Sequence, residues 1–214
     1  LLAAGWRVRY EPAVRVAHHE PTSPVRLLRR RFDYGTSAAP LARRHPGQLS
    51  HLTLAPAPAL TVGLLLARRP LAAAGAFGMG TGLLARRLRR AGVGWTEAAG
   101  PSAAGVGATW LGIGRWSTQF ALPALALLLA RPGPGSPRTR LGRRAAVATL
   151  VLGPSLAEWR RRRPRPPPAR FCLAYLLDQA AYGAGVYAGC HRHRLWAPVR
   201  PSVTIRRPGS RSRI

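Results

Sequence analysis

Three consecutive arginines, Arg29, Arg30 and Arg31, followed by Tyr34 within one helical turn, are the densest chemically able group near the start of this sequence. A guanidinium is a planar fork of donors that bonds phosphate oxygens in pairs. Arg30, Arg31 and Tyr34 are therefore candidates to hold a substrate phosphate. The plainer alternative is a solvated helix whose arginine stems cover an apolar neighbour, and the sequence leaves both open. Tyr34-Gly35-Thr36-Ser37 offers backbone N–H groups to an anion, but one glycine followed by hydroxyls reads first as a helix end. Cys190, His191 and His193 lack a fourth ligand at usable spacing and sit among arginines, so they read as no metal site. Arg115 and Asp178 stand inside otherwise apolar runs. Ionisable groups in such runs are costly and face partners, so the two are expected to form a structural ion pair.

The elements that must position these groups are partly legible. Ser23 can cap and Pro24 can start a helix through the arginines. Val25, Leu28 and Phe32 recur at helical spacing as its apolar stripe. Upstream, LLAAGWRVRYEPAVRVAHHE parses as a last helical turn, a glycine C-cap at Gly5, a short strand and a turn. One strand and one helix cannot bury their own apolar faces. The chain is accordingly expected to be a C-terminal piece, with the missing partner upstream or on another chain.

All 34 basic residues are arginine, against six acids: Glu11, Glu20, Asp33, Glu97, Glu158 and Asp178. Abundant Ala, Gly, Pro and Arg suggest a GC-rich coding sequence, which accounts for part of the arginine. The net charge of +28 still implies an anionic partner, lipid headgroups or nucleic acid. Cys172 and Cys190 are the only cysteines and read as reduced, buried small hydrophobes.

Past residue 46 apolar runs alternate with arginine clusters: 52–67, 71–85, 103–130, 145–159 and 171–190. A spanning helix needs about 20 mostly apolar residues, which only 103–130 and 171–190 reach. Gly183, Gly185 and Gly189 would let a neighbouring helix approach closely. Residues 131–144 read as an exposed loop and 160–170 as a stiff, basic polyproline-like linker. The tail from residue 197 has too few apolar residues to fold and is expected to be disordered.

GWRVRYEPAVRVAHH followed by RRRFDYGTSAAPLARRHP resembles the end of the catalytic domain in family 2 glycosyltransferases of the GT-A fold. Within that family it is most similar to the branch acting in mycofactocin biosynthesis, and DQAAYGAGVYAGC resembles the tail of the same branch. The expected chain is mainly α: by the resemblance a remnant of a GT-A α/β domain over residues 1–50, and by the apolar runs and composition apolar, partly transmembrane helices over 51–196 and a disordered basic tail over 197–214. The resemblance implies a nucleotide-sugar donor, glucose as the sugar, and a peptide-derived redox cofactor as acceptor. It also implies a divalent Mn or Mg ion, with His18 in the position of a metal ligand. The family's general base lies upstream of the matched segment, so no catalytic residue is expected in this chain, and the chain alone is expected to be inactive. Membrane lipid is an expected partner, at the cytoplasmic membrane with the catalytic side facing the cytoplasm.

Two other functions compete. A membrane structural or transport subunit would use Arg115 and Asp178 as functional charges. A nucleic-acid-binding protein would explain the charge, but not the five apolar runs, and no aromatic residues interleave with the arginine clusters as stacking platforms. Nucleic acid is therefore not an expected partner.

Overall fold

The computed structural model describes residues 4–17, 21–130 and 136–203. Among them the chain folds as helices α1 (Pro24–Thr36), α2 (Ala38–Arg44), α3 (Pro56–Leu66), α4 (Pro70–Leu88), α5 (Trp95–Phe120), α6 (Leu122–Ala130), α7 (Pro137–Arg162) and α8 (Pro168–His193). Two strands of two residues each, β1 (Thr53–Leu54) and β2 (Ser202–Val203), pair in parallel, Thr53 opposite Ser202. Proline fixes φ and needs no hydrogen-bond partner in a first turn, and α1, α3, α4, α7 and α8 each carry one there. Helix α7 is also capped by Ser136, whose side chain accepts from the Thr139 N–H. Helix α5 is entered through Gly94, whose N–H donates to Glu97 Oε2 at 2.9 Å.

Helix α8 is the axis of the molecule, and α1, α2, α5 and α7 pack around it. Its contact with α1 is made backbone to backbone. A methyl group on Gly185 would fall on the Phe32 carbonyl, one on Gly189 on the Thr36 carbonyl, and one on Gly35 on the Tyr182 carbonyl. Gly183 meets the carbonyl of Gln119 on α5 in the same way, so the close approach expected of these glycines is realised on two sides of α8. Gly114 does the same for α5 against α7, resting on Leu150 and Pro154. The core of buried residues is Ala38, Ala39, Phe120, Val186 and Cys190, with Trp116, Tyr182, Leu195 and Val199 packed on it. Phe120 is its centre: the His51 ring stands edge-on at 5.2 Å and the Tyr187 ring at 5.8 Å.

Several expectations are corrected. The strand expected in the RVRYEPAVRV segment does not form. Residues 6–17 carry only a turn at 12–13, and Trp6, Val8, Tyr10, Val14 and Val16 are exposed, so no remnant of an α/β sheet is present among the described residues. The α1 face that packs is also different. Val25 is 75% exposed, and α1 turns Arg31 and Gly35 toward α8, continued by Ala38, Ala39 and Ala42 of α2. α1 ends at Thr36 with Ser37 as its C-cap, so residues 34–37 are a helix end as expected, and Gly35 in that last turn is also the contact with α8.

The transmembrane expectation and the membrane localisation built on it are also overturned: among the described residues no helix is long and apolar enough to cross a membrane. The longest apolar run breaks at Ala121, leaving α6 with nine residues, about 14 Å of rise. Helix α5 carries Glu97, Arg115 and Gln119, α7 carries arginines at both ends, and α8 carries Asp178 and Gln179. The start of the tail is folded: residues Ala197–Val199 make a 3-10 turn with Pro198 buried, and Ser202–Val203 forms β2. Residues 204–214 lie outside the described residues. The expected loop at 131–144 is helical from Pro137, and the linker at 160–170 shortens to 163–167, because α7 runs unbroken through Pro154 to Arg162.

The glycine contacts give opposite expectations at two helix-interior sites. Gly185→Ala should destabilise the protein by about 1–3 kcal/mol through overpacking. Gly75→Ala on α4, where an added Cβ meets nothing within 4 Å, should stabilise it by up to about 1 kcal/mol through helix propensity. Chemical denaturation of the two variants checks both signs.

Candidate functional site

A polar network threads the core beside these glycines. His51, on the loop before β1, places Nδ1 2.8 Å from the Pro198 carbonyl and Nε2 2.9 Å from the Tyr182 hydroxyl. A carbonyl only accepts, so Nδ1 carries the proton. Nε2 and the Tyr182 hydroxyl share the second hydrogen bond of the ring. Burial raises the Tyr182 pKa, opposed by the nearby Arg31 charge. The Arg31 guanidinium lies over the Tyr182 ring at 5.0 Å, and its Nε sits 2.6 Å from Asp178 Oδ1. Asp178 Oδ2 accepts from Gln179 Nε2 at 3.1 Å, and Gln179 Oε1 accepts from Gln119 Nε2 at 2.6 Å. The network thus joins residues 31, 51, 119, 178, 179, 182 and 198.

Beyond Gln119 and Gln179 the network opens into a cleft of about 640 Å³ between α5, α7 and α8. Arg115, Tyr175, Glu158, Arg161 and Arg162 line it. Glu158 is held by Arg161 Nη2 at 2.6 Å and by Arg162 Nε, one turn further on the same helix. Hydrogen bonds from these two guanidinia pull its carboxyl down from 4.5 to about 2. Burial raises the Tyr175 pKa, and Arg115 is near enough to oppose that rise.

The residues singled out from sequence fall in different places. Arg30 and Arg31 are separated around α1 by their one-residue offset. Arg30 Nε donates to the Tyr34 hydroxyl at 2.8 Å, and its guanidinium lies over that ring at 5.4 Å. Arg31 turns inward to Asp178. Arg30 and Tyr34 are thus together, while Arg31 belongs to the interior network. Asp178 does have an arginine partner, but it is Arg31 on α1 rather than Arg115. The reason is the glycine contact, which brings α1 within side-chain reach of α8, whereas Arg115 lies on the cleft. His18, the position matched to a metal ligand, lies outside the described residues. Among the described residues no three His, Cys, Asp or Glu side chains gather as a metal site. Cys172 and Cys190 are both free and buried, and burial raises the Cys190 thiol.

His51, Tyr182, Gln119, Gln179, Tyr175 and Glu158 were not singled out as site residues. Spacing could have marked most of them. Arg115 and Gln119 are four apart on α5. Tyr175, Gln179 and Tyr182 follow at four and three on α8. Glu158 precedes Arg161 and Arg162 by three and four on α7. Polar residues repeating at helical spacing inside apolar runs mark a face turned toward something polar. His51 had no such signal, because its partners are 131 and 147 residues away.

A helical core with an interior ion pair defines no reaction by itself, and here comparison adds what geometry does not. The chain is similar to glycosyltransferases. It is 29% identical to the "Pre-mycofactocin glycosyltransferase" of Mycobacterium tuberculosis strain CDC 1551 / Oshkosh over 227 aligned positions, which cover 95% of the chain. The same protein in strain H37Rv matches to the same extent. The resemblance carried by residues 1–46 and 171–196 therefore extends along nearly the whole chain. The chain spans 44% of the length of these curated relatives. No family model matches, and no solved structure matches.

Two measurements check the site. Removing either Asp178 or Arg31 should cost about 1–3 kcal/mol, below the range for a fully buried pair because both side chains retain some exposure. The double variant Arg31→Met/Asp178→Asn should cost less than the sum, and a thermodynamic cycle reads the difference. For Glu158 the folded carboxyl lies below its ordinary value. Its contribution should be fully present above about pH 4.5 and be lost as pH falls toward about 2. The difference in melting temperature between the protein and Glu158→Gln should close over that window.

Proposed function

We propose that this chain is the C-terminal part of a glycosyltransferase acting in the biosynthesis of a peptide-derived redox cofactor. Similarity to the pre-mycofactocin glycosyltransferases over 95% of the chain carries this reading. The donor is a nucleotide sugar, with glucose as the sugar transferred, and the acceptor is the peptide-derived cofactor precursor. The chain spans 44% of its relatives' length, and in this reading the donor-binding strands and the general base belong to the part of the enzyme that matches the rest.

General-base activation of an acceptor hydroxyl needs a carboxylate within hydrogen-bond reach. Asp178 is tied to Arg31, Glu158 to two arginines and Glu97 to the start of α5. Each would give up a bonded partner to act as base, which supports a helper role for this chain. In that role the α1–α8 pair presents Arg30 and Tyr34 toward the catalytic part, with Arg30 bonding a phosphate of the donor. His18 would serve as a metal ligand within the complete site.

The test is sugar transfer from labelled nucleotide sugar to the cofactor precursor. The isolated chain should transfer none. Joined to the remaining part of the M. tuberculosis relative it should support turnover, and Arg30→Ala should lower that turnover about ten-fold, the scale of one charge-assisted hydrogen bond. Turnover by the isolated chain would sink this division of labour.

A further inference from the structure

The cleft between α5, α7 and α8 holds an unbalanced charge. Three guanidinium groups, Arg115, Arg161 and Arg162, face one carboxylate, Glu158. Arg161 and Arg162 share that carboxylate, so two positive charges are left over. Arg115 has no ion-pair partner among the described residues. Two acids of the neighbouring helices are placed elsewhere. Asp178 is engaged by Arg31, and Glu97 lies 18 residues back along α5, about 27 Å by helical rise. The rest of the lining suits a polar ligand: the Gln119 and Gln179 amides and Tyr175 stand beside the arginines in one concave surface of about 640 Å³. Those amides are fixed by the interior network, so the cleft floor is preorganised.

We propose that this cleft is a binding site for a phosphate-bearing anion of the diphosphate class, with Arg115 as its principal ligand and Arg161 and Arg162 as flanking donors. Guanidinium forks on two different helices match the spread of oxygens on a diphosphate better than a single point charge does. The volume exceeds what one phosphate needs and leaves room for the group to which a diphosphate is attached. The site is distinct from Arg30 and Tyr34 on α1, and it needs nothing from the glycosyltransferase reading.

The experiment is calorimetric titration of the intact 214-residue chain with inorganic pyrophosphate and, separately, with uridine diphosphate, at fixed ionic strength. Saturable one-to-one binding is expected. Arg115→Gln should weaken it about ten-fold, the scale of one charge-assisted contact. Arg115→Lys should weaken it less. Arg90→Gln, an exposed arginine outside the cleft, should leave it unchanged. Arg115 is itself exposed, so its variants should keep the melting temperature of the parent chain. Equal affinities for the two probes would identify the diphosphate alone as the ligand, and tighter binding of uridine diphosphate would identify an attached group that fills the remaining volume. No saturation with either probe, or the same loss in Arg90→Gln as in Arg115→Gln, would overturn the proposal and reduce the cleft to a screened patch of a basic protein.

Discussion

Everything in this fold depends on how closely α1 can lie against α8. Gly35, Gly185 and Gly189 remove the side chains from the crossing, so carbonyls rather than methyl groups set the separation. Side chains flanking the crossing then come within reach of one another. Arg31 meets Asp178 and stacks on Tyr182 only because the helices touch at their backbones. With a separation set by leucines, as in ordinary ridge-and-groove packing at 8–10 Å, a guanidinium on α1 would reach past Asp178 or stop short of it. The glycines thus act on the electrostatics of the core as well as on its packing.

The same approach explains the composition of the helices. Core positions are filled by alanine, cysteine, valine and threonine, and Phe120 is the one large side chain at the centre of the core cluster. Small residues bury little apolar area each, so stability rests on dense contact over long helices rather than on a few large groups. Small residues also keep each helix only moderately apolar. Hydrophobic runs that look like membrane segments by length are used here for close helix contact, and Gln119 and Gln179 within them bond to each other.

The sequence carried some of this and withheld the rest for identifiable reasons. The helices after residue 52 were legible as apolar runs, because each run is bounded by arginine or proline. Gly185 and Gly189 were legible as contact points because, four apart, they share a face of α8, while Gly183 lies on another side and meets α5. The partner of Asp178 was not legible. Arg115 was expected because it too stands in an apolar run, but the order of helices around α8 brings Arg31 to the carboxylate instead. The strand expected near residues 7–16 failed because alternation of arginine with valine and tyrosine meets the period of a strand without a neighbour to pair with. β1 and β2 were invisible for the opposite reason. Two-residue strands have no period, and their pairing joins residues 149 positions apart.

Glycine surfaces are smooth, and a smooth surface sets distance but not register. A helix pair held only by Gly35, Gly185 and Gly189 could slide or rotate by one residue and keep most of its dispersion energy. The polar groups remove that freedom. Arg31 finds its carboxylate and its aromatic face only when Asp178 and Tyr182 stand one turn apart on the facing side of α8. His51 then fixes the Tyr182 hydroxyl from the opposite direction and ties the Pro198 turn to the same point. An ion pair of this kind adds little net stability over an apolar replacement. We read its role as specification: it selects one alignment among several that the glycines would permit, much as a single polar position fixes the register of a coiled coil. The division of labour is then between glycines that bring the backbones together and charges that decide where along the helices they meet.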